Sequence, residues 1–254
     1  MTTYTLTFGD IAENHVGMQK IGEITEEGFS IADLKYSRKK FKSAGFECVM
    51  YNLNNLIMDT EDEEDEEDAA VLVIKNGISF FNDIDKMFEE QELLDYDTKA
   101  FMYGRVVNKH ARHNLCFDEE SQEPDYPNKK GRIVAYNEVP ILDNMRVKLS
   151  TMFGPKAESM VVEANKYYDS KLCGIGFHGD AERRRVIGIR LGKTMPFVYQ
   201  WYKKGEPIGE RLVLELEHGD IYIMSSKAVG YDWKKKNCFT LRHAAGADKF
   251  INYC

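Results

Sequence analysis

The stretch Cys173-Gly-Ile-Gly-Phe-His178-Gly-Asp180 decides how this chain is interpreted, and an apolar, strand-like segment, Val186–Gly192, follows it. A His-x-Asp pair at the end of a glycine-rich extended segment places an imidazole and a carboxylate on one side of the backbone, so both can face one metal ion. Two ligands alone hold a metal poorly. The pair therefore predicts a metal site whose third ligand lies farther along the chain.

Strand-like runs continue on both sides of this pair. They recur at roughly 8 to 12 residue spacing and are separated by clusters of Gly, Pro, Asp and Lys, a pattern typical of a β-sandwich or barrel. Downstream they comprise residues 197–202, 210–217, 221–224, 239–246 and 249–253. The sequence therefore predicts a mainly-β domain around the metal site.

Length and composition set the class of protein. The 254 residues allow one large domain, or a main domain with a small addition. No apolar run approaches the roughly 20 residues of a membrane helix, and no secretory segment is recognisable, so we expect an intracellular protein, cytoplasmic or nuclear, with no membrane partner. The 5 cysteines are widely spaced without a Cys-x-x-Cys pair, which indicates reduced thiols. Oligomeric state is not predictable.

An acidic run divides the chain. Residues 59–69 are almost entirely Asp and Glu, and such a block repels itself and stays solvated, so we interpret it as a linker. An acidic metal-binding tract is the alternative. Residues 1–58 are then an N-terminal α/β appendage: a strand over residues 3–8, a helix capped by Ser30, and a second strand over residues 46–51 form a small β-α-β unit. Residues 70–254 form the main domain.

Charge is distributed unevenly between the two parts. Residues 1–100 hold 9 Lys/Arg against 23 Asp/Glu, whereas residues 101–254 hold 25 against 19. A mildly basic half that carries the metal site is compatible with a polyanionic substrate, since neutralisation of phosphates supplies most non-specific affinity for nucleic acid. The alternative is that this excess of Lys and Arg is only part of a solvated surface.

From about Ala70 onward the chain resembles the AlkB-like branch of the 2-oxoglutarate- and Fe(II)-dependent dioxygenases. The residues that carry the resemblance are the opening strand 71–77, Tyr103-Gly-Arg105, Asn165-Lys-Tyr167, His178-Gly-Asp180, Arg190-Leu-Gly192 and Leu216-Glu-His-Gly-Asp220. The resemblance implies a double-stranded β-helix, or jelly roll, with a small N-terminal α/β part and flanking helices. It also implies Fe(II) and 2-oxoglutarate as cofactors, because a 2-His-1-carboxylate triad leaves positions open for a bidentate 2-oxo acid and oxygen.

Two residues compete for the third ligand position. Asp232 stands about where a bacterial AlkB-like enzyme has its distal histidine, and His243 stands 65 positions after His178. We favour His178, Asp180 and His243 as the metal ligands, since a set with two carboxylates is harder to keep neutral.

The base for the distal carboxylate of 2-oxoglutarate departs from the family pattern. The Arg-x5-Arg pair of the family is not reproduced after His243, and Arg242 should face away from the site if His243 faces inward. Arg190 is the preferred base and Lys249 the next. The resemblance also implies that Asn165 and Tyr167 contact the 2-oxo acid, although Tyr167 could merely pack.

The predicted substrate is a methylated or alkylated nucleobase in nucleic acid, which the enzyme hydroxylates or demethylates. Its predicted contacts are Arg105, His110, His113 and Arg183, because in AlkB-like enzymes the region before the jelly roll covers the base, and cationic groups can bind phosphate. Two alternatives stay open: a protein or small-molecule hydroxylase of the same superfamily, and a non-catalytic AlkB-like binding module.

Overall fold

The computed structural model describes residues 2–57 and 67–252. Its strands are, in chain order, β1 (Thr3–Gly9), β2 (Ile11–Glu13), β3 (Lys20–Gly22), β4 (Cys48–Asn52), β5 (Ala70–Ile74), β6 (Lys99–Met102), β7 (Arg105–Asn108), β8 (His113–Asp118), β9 (Ile133–Ala135), β10 (Val161–Tyr167), β11 (Gly174–His178), β12 (Val186–Gly192), β13 (Met195–Lys203), β14 (Glu206–Leu216), β15 (Ile221–Met224) and β16 (Thr240–Gly246).

Among the described residues, α-helices are fewer than strands. They are α1 (Ile31–Ser43), α2 (Ile84–Glu92), α3 (Pro140–Lys148), α4 (Ser150–Phe153), α5 (Ser226–Val229) and α6 (Asp248–Ile251). The start of α1 is fixed by a capping box, because the Ser30 side chain accepts from the backbone of Asp33 while Asp33 accepts from the backbone of Ser30. None of the helices in the described ranges is both long and apolar enough to cross a membrane.

Two sheets dominate the fold. An eight-stranded sheet has the order β4-β5-β15-β12-β1-β10-β8-β9, and it is mixed because β8 and β9 run parallel while its other pairs are antiparallel. A four-stranded antiparallel sheet has the order β11-β16-β13-β14. The mainly-β prediction is therefore confirmed at this level.

The core has two main parts, one on each face of the large sheet. One face packs against the helices, and its buried side chains include Tyr4, Leu6 and Phe8 of β1 together with Leu34 and Leu142 from helices. On the opposite face, Val71, Val186 and Tyr222 of the large sheet pack with Phe197 and Leu241 of the four-stranded sheet. Since strand side chains alternate, β5, β12 and β15 contribute buried side chains to both layers.

The N-terminal residues require a correction to the predicted domain organisation. Strand β1 lies in the interior of the large sheet, with all its residues paired to β10 on one side and β12 on the other. Strand β4 pairs with β5 at the edge of the same sheet. Residues 1–58 are thus not a separate appendage, and β1 and β4 do not form one β-α-β unit, because three strands separate them.

Two other predictions concern the linker and the end of the chain. Most of the acidic linker predicted at residues 59–69 lies outside the described residues, which resume at Glu67. The strand predicted over residues 249–253 is wrong where the structure describes it, because Asp248–Ile251 is helical. Lys249 is therefore exposed on α6 rather than aligned on a strand of the sheet.

Candidate metal centre

Antiparallel pairing of β11 with β16 places His178 directly opposite His243. Their ring centroids lie 4.6 Å apart. Facing residues of antiparallel neighbours project to the same side of a sheet, so two histidines 65 positions apart in sequence become neighbours. The predicted pair of imidazole ligands is therefore brought together by strand register.

Asp180 completes the group from the loop that follows β11. Its Oδ1 lies 3.5 Å from Nε2 of His178 and 3.8 Å from Nε2 of His243. Ligand atoms of all three residues lie within 4.8 Å of one another. The loop is held by a hydrogen bond from the Asp180 amide to the Val229 carbonyl, and the close approach of the Gly230 carbonyl leaves no room for a side chain at position 179.

The electrostatics of this group suit a metal ion. Burial lowers the pKa of both histidines, that of His243 to about 3, so the imidazoles are neutral at pH 7. The Gly176 carbonyl lies 2.8 Å from Nδ1 of His178, and a proton on Nδ1 would leave the Nε2 lone pair free for a metal. Burial opposes ionisation of Asp180, but its neighbours, Arg183 first among them, together outweigh burial and lower the pKa of that carboxyl.

Asp232, the competing ligand, is engaged elsewhere. Its carboxylate forms a buried ion pair of 2.8 Å with Lys227, whose ammonium also donates to the carbonyl of Phe239. This pair anchors the loop between α5 and β16. The structure therefore brings His243, and not Asp232, to His178 and Asp180.

A cavity of about 130 Å³ opens beside the three ligands. It is also lined by Thr5 and Asn165 of the large sheet, Phe197 of the small sheet, and Arg190. The ring of Phe197 stacks on His243 at a centroid distance of 5.4 Å and covers that side of the imidazole. The candidate metal centre thus has an adjoining cavity that Arg190 of β12 also lines.

Arg190 is the most unusual side chain of this cavity. It is 0% exposed, yet none of its three guanidinium nitrogens has a hydrogen-bond partner within the described residues. Burial lowers its pKa, and the nearby phenols of Tyr222 and Tyr167 oppose that shift. A buried cation without a counter-ion is costly, so this guanidinium fits an anionic ligand in the cavity.

The other predicted cofactor contacts divide into two groups. Asn165 and Tyr167 line the same cavity from β10. The amide of Asn165 is already used, since its oxygen accepts from Arg112 and Asn114 and its nitrogen donates to Glu163. Lys249 does not line the cavity, because α6 carries it to the surface beside Lys193.

Arg183 lines the cavity but is not free to bind substrate. It is 5% exposed, and its guanidinium lies 2.9 Å from Glu163, 3.4 Å from Glu182 and 4.0 Å from Asp180. These carboxylates raise its pKa above the ordinary value despite burial. The predicted phosphate contact is therefore corrected: Arg183 is the counter-ion of a carboxylate cluster that includes a candidate metal ligand.

The remaining predicted substrate residues lie outside the cavity. Arg105 belongs to the β6–β7 hairpin, which forms a separate shallow depression with His110. His113 stacks on Tyr168 at 4.6 Å instead of facing the metal centre. Arg112, which lies between these two histidines in the same basic segment, does line the cavity.

Sequence reasoning missed the acidic wall of the cavity. Glu13, Glu163 and Glu182 all line it. Burial, followed by the nearby charge of Asp180, raises the pKa of Glu182 to about 7, and burial raises the pKa of Glu13. Glu182 stands two residues after Asp180 and could have been suspected, whereas Glu13 comes from the residues assigned to an appendage.

The chain is 49% identical over 249 residues to a protein of Acanthamoeba polyphaga mimivirus named "Uncharacterized protein R156", a match that covers 98% of this chain and 97% of the mimivirus protein. No family model matches the sequence.

Proposed function

We propose that this chain, which belongs to the same family as the mimivirus protein, is an Fe(II)- and 2-oxoglutarate-dependent dioxygenase with a jelly-roll fold. One observation carries the proposal: Arg190, a buried guanidinium with no hydrogen-bond partner among the residues that the structure describes, borders the same small cavity as the convergent His178, Asp180 and His243. A metal would be bound by the three ligand side chains, and a dicarboxylate would pair with the Arg190 guanidinium.

The residues present fit these two groups. His178, Asp180 and His243 would hold Fe(II), since two neutral imidazoles and one ionised carboxylate are a usual donor set for that ion. Arg190 would hold the distal carboxylate of 2-oxoglutarate. With both groups bound, the site would supply oxidation of a substrate C–H bond by oxygen, coupled to conversion of 2-oxoglutarate to succinate.

The chain's own contribution is positioning. Arg183 holds Asp180 in its ionised form, and Phe197 packs on His243. Both contacts restrict the ligands before any metal binds. The protein would thus position the metal ligands, and the cofactors would supply the chemistry. No side chain would then have to act as a general base.

The nucleobase substrate stays a prediction, and a different observation favours the second candidate, a protein or small-molecule hydroxylase. The cavity wall carries Glu13, Glu163 and Glu182, of which Glu163 and Glu182 are paired with Arg183. Such a wall repels a phosphate backbone and attracts a cationic or hydrogen-bond-donating group. A substrate with an ammonium or guanidinium group therefore suits this cavity better than an anionic strand.

Anaerobic addition of Fe(II) and 2-oxoglutarate tests the proposal. We expect the weak visible absorption band of the metal–2-oxo acid chelate, and we expect His178→Ala or His243→Ala to remove it. His110→Ala is the matched control, because this exposed histidine lies outside the cavity. Absence of the band from the wild-type protein, with no metal retained, would favour the non-catalytic binding module.

Substrate class is read from succinate release after oxygen is admitted to the same preparation. Methylated single-stranded DNA and RNA, lysine- and arginine-containing peptides, and free cationic amino acids are compared at low and moderate salt. Turnover that occurs with oligonucleotides and falls steeply with salt supports the nucleobase prediction. Turnover confined to the cationic compounds supports the second candidate.

A further inference from the structure

Helix α1 carries most of the positive charge of the acidic half of the chain. Residues 1–100 contain 9 Lys/Arg, and five of these lie within a short stretch of α1: Lys35, Arg38, Lys39, Lys40 and Lys42. The whole chain has a net charge of −8. A cluster of cations on an acidic protein creates a local positive potential, and such a potential acts on anionic partners.

Four of these cations share one side of α1, which we call the basic face: Lys35, Arg38, Lys39 and Lys42. Residues that are three, four and seven positions apart lie on the same side of an α-helix. Together with Ser43 they line an open depression of about 480 Å³. The three lysines are exposed, and Nε of the half-buried Arg38 has no hydrogen-bond partner within the described residues.

The charges of the basic face are not compensated within the fold. None of its four cations forms an ion pair with a carboxylate among the residues that the structure describes. Asp33, the acid of the same helix, caps its N-terminus and pairs with Lys156 at 3.1 Å. The helix dipole favours cations in the last turn, so it does not account for Lys35 and Lys39.

The basic face lies on the side of the large sheet that is opposite the cavity. The inward residues of α1, Leu34 and Phe41, belong to the same buried cluster as Tyr4 and Leu6 of β1. Thr5 lies between those two strand residues and lines the cavity from the other side of the sheet. A ligand on the basic face would therefore bind independently of the proposed function.

A partner for this face must supply repeated negative charge. Lys35 and Lys42 are about 10 Å apart along the helix axis, and a nucleic-acid duplex carries about six phosphates in that length. A membrane-surface helix needs an exposed apolar face, whereas Leu34 and Phe41 are 0% exposed. The described residues that line the depression include no apolar side chain, unlike the core of a protein interface.

We propose that the basic face of α1 is a docking surface for the phosphate backbone of nucleic acid, separate from the candidate metal centre. Its lysines would each contact a phosphate as point charges, and the guanidinium of Arg38 would donate to phosphate oxygens. Contacts of this kind carry no sequence information, so binding should be the same for duplexes of different sequence. The cavity, with its acidic wall, would remain free for a cationic substrate.

Fluorescence anisotropy of a short labelled DNA duplex tests this surface, with metal-free protein and without 2-oxoglutarate. Four phosphate contacts predict that log K falls with log salt concentration with a slope of about −3.6. Lys35→Gln combined with Lys39→Gln removes two contacts. Binding at about 0.1 M salt should weaken roughly 60-fold, and the slope should halve. Gln and Lys have similar helix propensities, so the melting temperature should not change.

Two control variants separate the basic face from net charge and from the cavity side. Lys86→Gln combined with Lys171→Gln removes the same number of charges from exposed lysines outside α1, and it should bind as the wild type does. Arg105→Gln changes a predicted substrate contact on the β6–β7 hairpin, and it should also bind as the wild type does.

Four results would overturn the proposal. The wild type would bind no duplex at about 50 mM salt. The Lys86 and Lys171 pair would lose as much affinity as the α1 pair. Arg105→Gln would lose affinity while the α1 pair keeps it. Phosphatidylserine vesicles or polyglutamate would bind more tightly than the duplex through Lys35 and Lys39, which would assign the face to a membrane or an acidic protein. None of these measurements includes iron or 2-oxoglutarate, so each leaves the proposed function standing.

Discussion

Two arginines border one cavity and have opposite surroundings. Arg183 is buried among the carboxylates of Glu163, Glu182 and Asp180, whereas Arg190 is buried without any hydrogen-bond partner in the described chain. Their pKa values shift in opposite directions as a result, upward for Arg183 and downward for Arg190. Equal burial therefore does not mean an equal role.

The difference indicates which arginine stabilises the fold and which one binds a ligand. A buried ion pair is compensated within the fold, and removing one member leaves the others uncompensated. A buried cation without a partner lowers stability until an anion arrives, a common compromise at binding sites. Replacement of each arginine by methionine should therefore change the free energy of unfolding in opposite directions.

Arg183→Met should have the largest effect. It leaves the carboxylates of Glu163 and Asp180 buried without their counter-ion, and we expect the free energy of unfolding to fall by about 3–5 kcal/mol. Urea denaturation at pH 7 measures this loss. Adding Glu163→Gln to the same chain should recover part of it, because one uncompensated charge is then removed.

This account is contradicted if Arg183→Met and the wild type have the same midpoint of urea denaturation. Arg183 would then contribute nothing to the fold, and its predicted role as a substrate contact would return. Arg183→Lys is the matched control, since it retains the charge but not the planar fork, and it should lie between the wild type and the methionine variant.

Arg190→Met should act in the opposite direction. Without ligands, we expect the variant to be more stable than the wild type by about 1–4 kcal/mol, because an uncompensated buried charge is replaced by an apolar side chain of similar length. Affinity for 2-oxoglutarate should fall at least about 100-fold. Urea denaturation and calorimetry measure the two effects, and Fe(II) content should not change.

A destabilised Arg190→Met would contradict this account. It would mean that the guanidinium supports the fold, as Arg183 does, and that the cavity does not await an anion. Arg190→Lys provides the control for charge: it keeps a cation at the same place but loses the bidentate geometry, so it should bind 2-oxoglutarate weakly without the gain in stability.

Sequence reasoning was most successful where chemistry and strand periodicity coincide. His178 and Asp180 are two residues apart, and His243 lies on a β-like run, so each could be identified before the structure. Arg190 was found in the same way, from its position on the strand after the His-x-Asp pair. Short-range pattern and residue type were sufficient in these cases.

The pairing of strands that are distant in sequence could not be predicted. Nothing in residues 3–9 indicates that they insert between β10 and β12, about 150 to 190 positions away, because register is specified by partners that a single sequence does not reveal. The role of Arg183 was missed for the same reason. Its partner Glu163 lies on another strand, and an arginine run reads as a basic surface until such a partner is known.

Lys109 is the intermediate case between the two arginines. It is largely buried near the cavity, but its ammonium donates to neutral oxygens, those of Asn14 and Asn114, at distances of 2.5–3.3 Å. Burial lowers its pKa to about 8; the charge of Asp97 opposes this shift and that of Arg112 adds to it. A cation with partial compensation should show a partial penalty.

The sign of the pH dependence follows from proton binding. Above pH 8 the folded chain releases the Lys109 proton, while the unfolded chain keeps it up to about pH 10.4, so the free energy of unfolding rises with pH in this window. Between pH 7 and pH 9 we expect a gain of about 1 kcal/mol from this residue. Urea denaturation at both pH values measures it for the wild type and for Lys109→Met, which should lack the gain. Lys39→Met, on the exposed face of α1, should retain it. An identical pH response in Lys109→Met and the wild type would place Lys109 with Arg183, as a cation that the fold compensates in full.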